Sequence, residues 1–225
     1  YLLYEHNQFK EASTRFRTVI RMNPSSQNAE KAAHLILDTL GLVEDWTTLR
    51  EVAKDFLSQE NLGSKRFKGE MAEVYENSTF KLVQVNHEAK EDWKGAADGF
   101  SAFYKEFPES KNAAKALNNA AVYYQKIGNR SKAIASRRVI VEKFPKSEFF
   151  KDQLALLAYD IEMQAGFEES AELYEQLYKL DPKHAKASIA IYTAAKFREA
   201  MGEWKKAISN YRLFIKSYPD NTAPS

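Results

Sequence analysis

The amino-acid sequence predicts an all-α fold: a right-handed superhelical solenoid of antiparallel helix pairs, about six repeats of 37 residues, one with a ten-residue insertion. Three observations predict it. Pro108, Pro145, Pro182 and Pro219 stand 37 residues apart, and a fixed period of about 20–50 residues marks a repeat array. Residues at fixed distances before each proline fall into matching columns. Between the prolines, apolar residues recur at helical spacing, with no strand-like alternation.

The columns define the repeat. Fifteen residues before each proline is an aromatic slot, Trp93, Arg130, Phe167 and Trp204. Twelve before is a small slot, Ala96, Ala133, Ser170 and Ala207. Eight before are Phe100, Arg137, Tyr174 and Tyr211, and five before are Phe103, Ile140, Leu177 and Phe214. Pro24 carries the same frame in Phe9, Ala12, Phe16 and Val19, and Trp46 continues it through Leu49, Ala53 and Phe56. The step from Trp46 to Trp93 is 47 residues, one period plus ten. The repeats therefore run over 1–24, 25–61, 62–108, 109–145, 146–182 and 183–219, with a tail over 220–225, as a single array.

Each repeat reads as two helices. In residues 114–128, Leu117, Ala120, Ala121, Tyr124 and Ile127 share one helical face. Gly128 then stops the helix, as a residue able to turn left-handed does, and Gly166 and Gly202 are expected to do the same. A second helix follows and ends before proline, which pushes the preceding residue out of helical geometry. The small slot lets the paired helices approach, and the aromatic slots are expected to fill the gaps between repeats.

Two places depart from the pattern. Residues 64–90 lack proline, and Phe67, Met71, Val74, Tyr75, Ser78, Leu82, Val85 and Ala89 form one stripe. This predicts a first helix lengthened by about 15 Å, a packing element or a ledge for a partner. In the fourth repeat Arg130 and Arg137 occupy aromatic slots, and with Arg138 and Lys143 they make a basic helix. Either this is a patch for an acidic surface or lipid head group, or the arginine stems cover the seam between repeats with their heads in water; the second reading is favoured.

Composition excludes several classes. With 33 basic and 31 acidic residues the net charge is +2, which gives no global field for nucleic acid. No apolar run is long enough to span a bilayer. The absence of cysteine removes thiolate chemistry and disulfides. His6, His34, His87 and His184 lie in different repeats with no metal-ligand spacing, and His87 shares a column with Tyr124 and Ile161, which predicts a packing role. Eight glycines assemble no phosphate loop. No cofactor, metal or catalytic residue is expected, and the chain is expected not to be an enzyme.

The small, large and aromatic columns ending in proline resemble the tetratricopeptide repeat across essentially the whole chain. The longer period and the "FPES" and "FPKS" punctuation resemble periplasmic and outer-membrane repeat proteins of Gram-negative bacteria, such as the TolA-binding coordinator and the repeat lipoprotein of β-barrel assembly. The resemblance implies a protein or peptide partner held on the first helices of a concave groove. By register the groove residues are Lys81, Val85 and Glu88; Lys115, Asn118, Val122 and Gln125; Ala155, Tyr159 and Glu162; and Tyr192, Lys196 and Glu199. Val85, Asp152 and Leu156 stand where the two-carboxylate clamp of chaperone-binding relatives needs asparagine and basic residues, so capture of such a tail is not expected. The implied role is a scaffold in a bacterial envelope complex, periplasmic or on the outer membrane. The alternatives are a cytosolic adaptor for signalling, motility or chaperone work, or the recruiting region of a larger enzyme. The end after Pro219 shows no polar cap, which leaves two expectations: further repeats beyond it, or a docking surface, with a second copy as one candidate.

Overall fold

The computed structural model describes residues 9–220, with the side chains of Phe9 and Lys10 left out. His6, the opening of the first repeat, the slot side chain of Phe9 and the tail beyond Asp220 lie outside the described residues. All regular structure among those residues is helical: α1 (Phe9–Met22), α2 (Gln27–Leu42), α3 (Trp46–Ser58), α4 (Lys65–Asn86), a 3-10 turn (Glu88–Lys90), α5 (Trp93–Glu106), α6 (Ala113–Lys126), α7 (Arg130–Lys143), α8 (Phe150–Glu162), α9 (Phe167–Leu180), α10 (Ala187–Ala200) and α11 (Trp204–Ser217). They form two compact units, Tyr1–Gly95 and Ala96–Ser225. The architecture is an α-solenoid of helix pairs.

One turn recurs inside every pair. Glu44 (φ 54°), Glu91 (57°), Gly128 (74°), Ala165 (59°) and Gly202 (75°) are left-handed and occupy one column of the repeat. The next residue caps the N-terminus of the second helix. Asp45, Asp92 and Asn129 there accept hydrogen bonds from the backbone N–H of Thr48 (3.1 Å), Gly95 (2.9 Å) and Lys132 (3.2 Å), satisfying donors that have no partner inside the helix. Gly166 is thus not the left-handed residue expected of it: its φ is −80°. It is glycine for space, because a Cβ there would come within 2.6 Å of Ile161 Cγ2.

The second helices stop where proline predicts, with Phe107, Phe144, Asp181 and Tyr218 donating their N–H groups to Phe103, Ile140, Leu177 and Phe214 as the last helical bonds. Their small slots are buried, and the Ser170 hydroxyl bonds the Ala158 carbonyl at 2.9 Å. The aromatic slot is a correction. It is the first residue of each second helix and sits at the rim: Trp46 and Trp93 are half-buried, Arg130 and Phe167 exposed, and Trp204 is 61% exposed. Phe167 meets the next repeat at Phe197, ring to ring at 4.9 Å. In α1, Ile20 rather than Val19 is buried, a one-residue slip from the column. Ile127 is likewise exposed, because it caps α6 instead of continuing its stripe.

In the first unit α1 to α4 pack in chain order. The long α4 has 22 residues, about 33 Å. Phe67, Met71, Tyr75 and Ser78 are buried on it as expected, but the stripe continues through Phe80 and Val83 rather than Leu82 and Val85, and Ala89 is exposed. Arg50 of α3 bonds Thr79 Oγ1 (2.8 Å) and the Tyr75 hydroxyl (2.9 Å), and Lys68 Nζ donates to the carbonyls of Phe56 (2.7 Å) and Leu57 (3.1 Å), the C-terminal end of α3 where a cation is favoured. These contacts make the first four turns of α4 a packing element. His87 is not a core residue: it caps α4, and its Nδ1 lies 2.7 Å from Asp92 Oδ2.

In the second unit a core cluster joins Phe150, Leu154, Ala155 and Ala158 of α8 to Ala171, Tyr174 and Leu177 of α9 and Ala190 and Ala194 of α10. A smaller cluster joins Ile134 of α7 to Leu157 and Ile161 of α8. Alanine dominates the contact faces, so backbones come close and each first helix is held by the second helix before it and after it.

Candidate functional site

Stacking α6, α8 and α10 leaves a hollow of about 500 Å3 in the second unit, lined by Gln125, Ala155, Leu156, Tyr159, Glu162, Tyr174, Lys186, Ile189 and Thr193. Its character follows from register. Buried Leu154, Leu157 and Ala158 turn one face of α8 into the core; the adjoining stripe carries Ala155, itself buried, then Tyr159 and Glu162 at i, i+4 and i+7. Tyr159 is 50% exposed and Ile189 at the start of α10 is also exposed, so apolar surface meets solvent beside Glu162 and Lys186. A second hollow of about 330 Å3 shares Gln125 and Tyr159 and is lined further by Gly128, Arg130, Ala133, Arg137 and Asp160.

The polar groups of this surface are held from behind by one repeated tie. The residue eight before Pro145, Pro182 and Pro219 bonds the residue twelve earlier, at the end of its own first helix. Arg137 donates to Gln125 Oε1, the Tyr174 hydroxyl to Glu162 Oε2 at 2.8 Å, and the Tyr211 hydroxyl to Glu199 Oε2 at 2.6 Å. Burial, and then the bond to Glu162, raises the Tyr174 phenol well above its ordinary value; the same causes push Tyr211 to about 12.

Arg137 overturns both readings of the basic helix at that position. Its head is neither a surface patch nor in water: the residue is 1% exposed. The guanidinium forms an ion pair with Asp160 of α8 and donates to Gln153 Oε1 at 3.2 Å, and Gln153 Nε2 donates to Asn118 Oδ1 at 2.7 Å. Burial pulls the Arg137 pKa below its ordinary value, with Asp160 opposing. Arg138 pairs with Glu169, while Arg130 and Lys143 are exposed. A matching buried group, Arg198 of α10, bonds Glu175 Oε1 and Oε2, both at 2.9 Å, and Glu203 Oε2 at 2.7 Å. Asp160, Gln153, Glu175 and Arg198 are absent from the sequence-derived set. The 37-residue step gives no signal for them, because Asp160 aligns with Phe197 and Arg198 with Ile161.

Of the register-derived groove residues, Gln125, Ala155, Tyr159 and Glu162 come together at the large hollow. Asn118 is tied to α8 through Gln153, and Lys115 and Val122 lie exposed along α6. Tyr192 is not a free tyrosine. It packs on Tyr211 (5.8 Å) and Phe214 (5.1 Å) of α11, with Lys196 Nζ 5.9 Å over its ring. Lys81, Val85 and Glu88 belong to the first unit, where Lys81 Nζ lies 5.6 Å over the Trp46 ring, Val85 is half-buried and Glu88 lies on the 3-10 turn. His34 and His184 each face one carboxylate, Glu70 at 3.0 Å and Asp152 at 3.1 Å. Among the described residues no group of three His, Asp or Glu side chains is placed to hold a metal, and no helix is long and apolar enough to cross a membrane.

Helix hairpins with a left-handed turn residue, a buried small slot on the second helix and a first-helix face left open define the class as an α-solenoid of interaction repeats. Residues 190–221 match the tetratricopeptide repeat model, and the 37-residue register of that stretch extends back through the preceding pairs. Among solved structures, YrrB, described as a TPR protein with an unusual peptide-binding site, is similar at 16% identity over 92% of this chain and 93% of that one, TM-score 0.45. BtubC from P. vanneervenii is similar at 12% identity over 97% and 92%, TM-score 0.46. No curated protein matches the chain.

Proposed function

We propose that the chain is a non-enzymatic scaffold that captures a protein segment in the hollow between α6, α8, α9 and α10. The observation that carries this reading is the half-exposed Tyr159 standing over a cavity of about 500 Å3 beside Leu156 and Ile189, with Glu162 fixed by Tyr174. A rigid aromatic next to preset polar groups is the pattern of an interface anchor, and a surface already ordered by repeat stacking loses little entropy on docking. Selection of a displayed peptide library on the immobilised chain tests it. Selected peptides should lose at least about tenfold in affinity for a Tyr159→Ala variant, while circular dichroism stays unchanged. Peptides that bind wild type and variant equally would place recognition elsewhere. The spacing and "FPxS"-type punctuation support membership of a bacterial envelope complex, with a cytosolic adaptor as the competing reading; fractionation of the source cells separates them.

A further inference from the structure

We propose that the outer face of α11 docks an amphipathic helix of a partner protein whose apolar stripe is flanked by carboxylates. The site is separate from the hollow. Trp204, Ile208 and Ile215 lie at i, i+4 and i+11, one face of the helix, and are 61%, 51% and 66% exposed.

The chain itself shows what such a face receives. One and two repeats earlier, the Ile208 column holds Ala171 of α9 and Ile134 of α7, both buried. Ile134 is covered by Leu157 and Ile161 of the following first helix, α8, and Val141, in the column of Ile215, packs against the same cluster. Phe167, in the column of Trp204, is met by Phe197 of α10 at 4.9 Å. The face that α7 and α9 offer to the next helix is thus repeated on α11, where no described residue covers it. Its occupant is a helix with large aliphatic or aromatic residues three to four positions apart.

Charge narrows the occupant. On the solvent side of the stripe stand Lys205, Arg212 and Lys216, all exposed and without an acidic partner among the described residues. The Arg212 column is the one that meets opposite charge from the next repeat: Arg138 pairs with Glu169 at 2.5 Å, and Glu175 with Arg198 at 2.9 Å. Arg212 therefore calls for a carboxylate. A second α11 would bring the same basic rim against itself, and like charges so placed cost affinity, so a partner helix is favoured over a second copy.

The probe is a labelled synthetic peptide of residues 146–172, which contains α8, the helix that covers the equivalent face of α7, and Glu169, the carboxylate that meets Arg138. A companion peptide replaces Asp152, Asp160, Glu162 and Glu169 with lysine. By fluorescence anisotropy the acidic peptide should bind the chain at least about tenfold more tightly than the lysine peptide. Ile208→Glu should abolish binding, Arg212→Glu should narrow or invert the preference, and Tyr159→Ala should change nothing, which keeps this outcome distinct from that of the hollow. The proposal is overturned if the peptides bind equally or neither binds at millimolar concentration, or if binding survives Ile208→Glu. It is equally overturned if the face is instead taken by a second copy, seen as self-association that Ile208→Glu dissolves, or by phosphatidylserine vesicles in preference to the acidic peptide.

Discussion

Replacing Ala165 with glycine should stabilise the second unit. Ala165 is exposed and holds φ at 59°, in a column whose neighbours one repeat away on each side are Gly128 and Gly202. An L-residue in the left-handed region costs about 1–2 kcal/mol through the approach of Cβ to the following carbonyl. Glycine removes that cost but widens the unfolded ensemble by about 0.4–1 kcal/mol. The difference favours Ala165→Gly by about 0.5–1 kcal/mol, since the hydrogen bond from the Ala165 N–H to the Glu162 carbonyl, 2.8 Å, is unaffected. Gly202→Ala is the reverse experiment. Nothing lies within 4 Å of a Cβ at Gly202, so any loss there is backbone strain alone. Urea denaturation followed by circular dichroism reads both variants, with the slope of the transition held as a check on denatured-state effects. If Ala165→Gly is destabilising, or Gly202→Ala costs nothing, the left-handed column does not set the turn and the reasoning fails.

Arg137→Met leaves the Asp160 carboxylate buried without its counter-charge and should cost about 3–5 kcal/mol, whereas the double variant with Asp160→Asn should recover most of it; urea midpoints of both decide this. Glu175 is pushed up by burial but pulled lower overall by hydrogen bonds from Arg198 and Asn210. Its folded pKa therefore lies below its unfolded 4.5, so its stabilisation is present above that value and lost as pH falls through the folded one. Glu175→Gln should accordingly flatten the acid limb of a stability–pH curve. Tyr211, raised from 10.0 to about 12, works in the opposite sense: its contribution is full below pH 10 and disappears as pH rises towards 12. Tyr211→Phe should remove that alkaline loss, and a curve that keeps it would assign the loss to another group.

What the sequence made legible is what repeats. The prolines, the small slot and the columns five and eight before Pro108, Pro145, Pro182 and Pro219 land where a helix pair needs them, because packing forces a small side chain or a large one at the same step, whereas at Pro24 the column slips from Val19 to Ile20. The aromatic slot misleads for a physical reason. It opens each second helix, where the side chain points over the turn and not into the core, so its aromatics read as core while Trp204 stands in solvent. Gly166 misleads in the same way, since a glycine near a helix end reads as the left-handed residue, whereas Ala165 fills that role and Ile161 leaves no room for a Cβ at 166. Residues occurring once in the array, above all Asp160 and Arg198, have no column to announce them; their partners become visible only when the helices are placed.

The repeated tie links these parts. Gln125, Glu162 and Glu199 are polar groups at the ends of first helices, and left alone each would sample several rotamers. Arg137, Tyr174 and Tyr211, rising from the second helices, fix one oxygen of each. For the proposed partner, the entropy of orienting these groups is then spent in folding rather than at the moment of docking. At Gln125 the tie runs through a guanidinium that Asp160 neutralises, so its amide nitrogen is oriented by a buried ion pair between α7 and α8. Loosening that pair by Arg137→Lys, which keeps the charge but not the planar fork, would therefore be felt at the hollow as well as in the core. A geometry that rests on a buried pair between neighbouring helices cannot be altered at the surface without altering how those helices stack, and this ties the proposed recognition in the hollow to the spacing of the array.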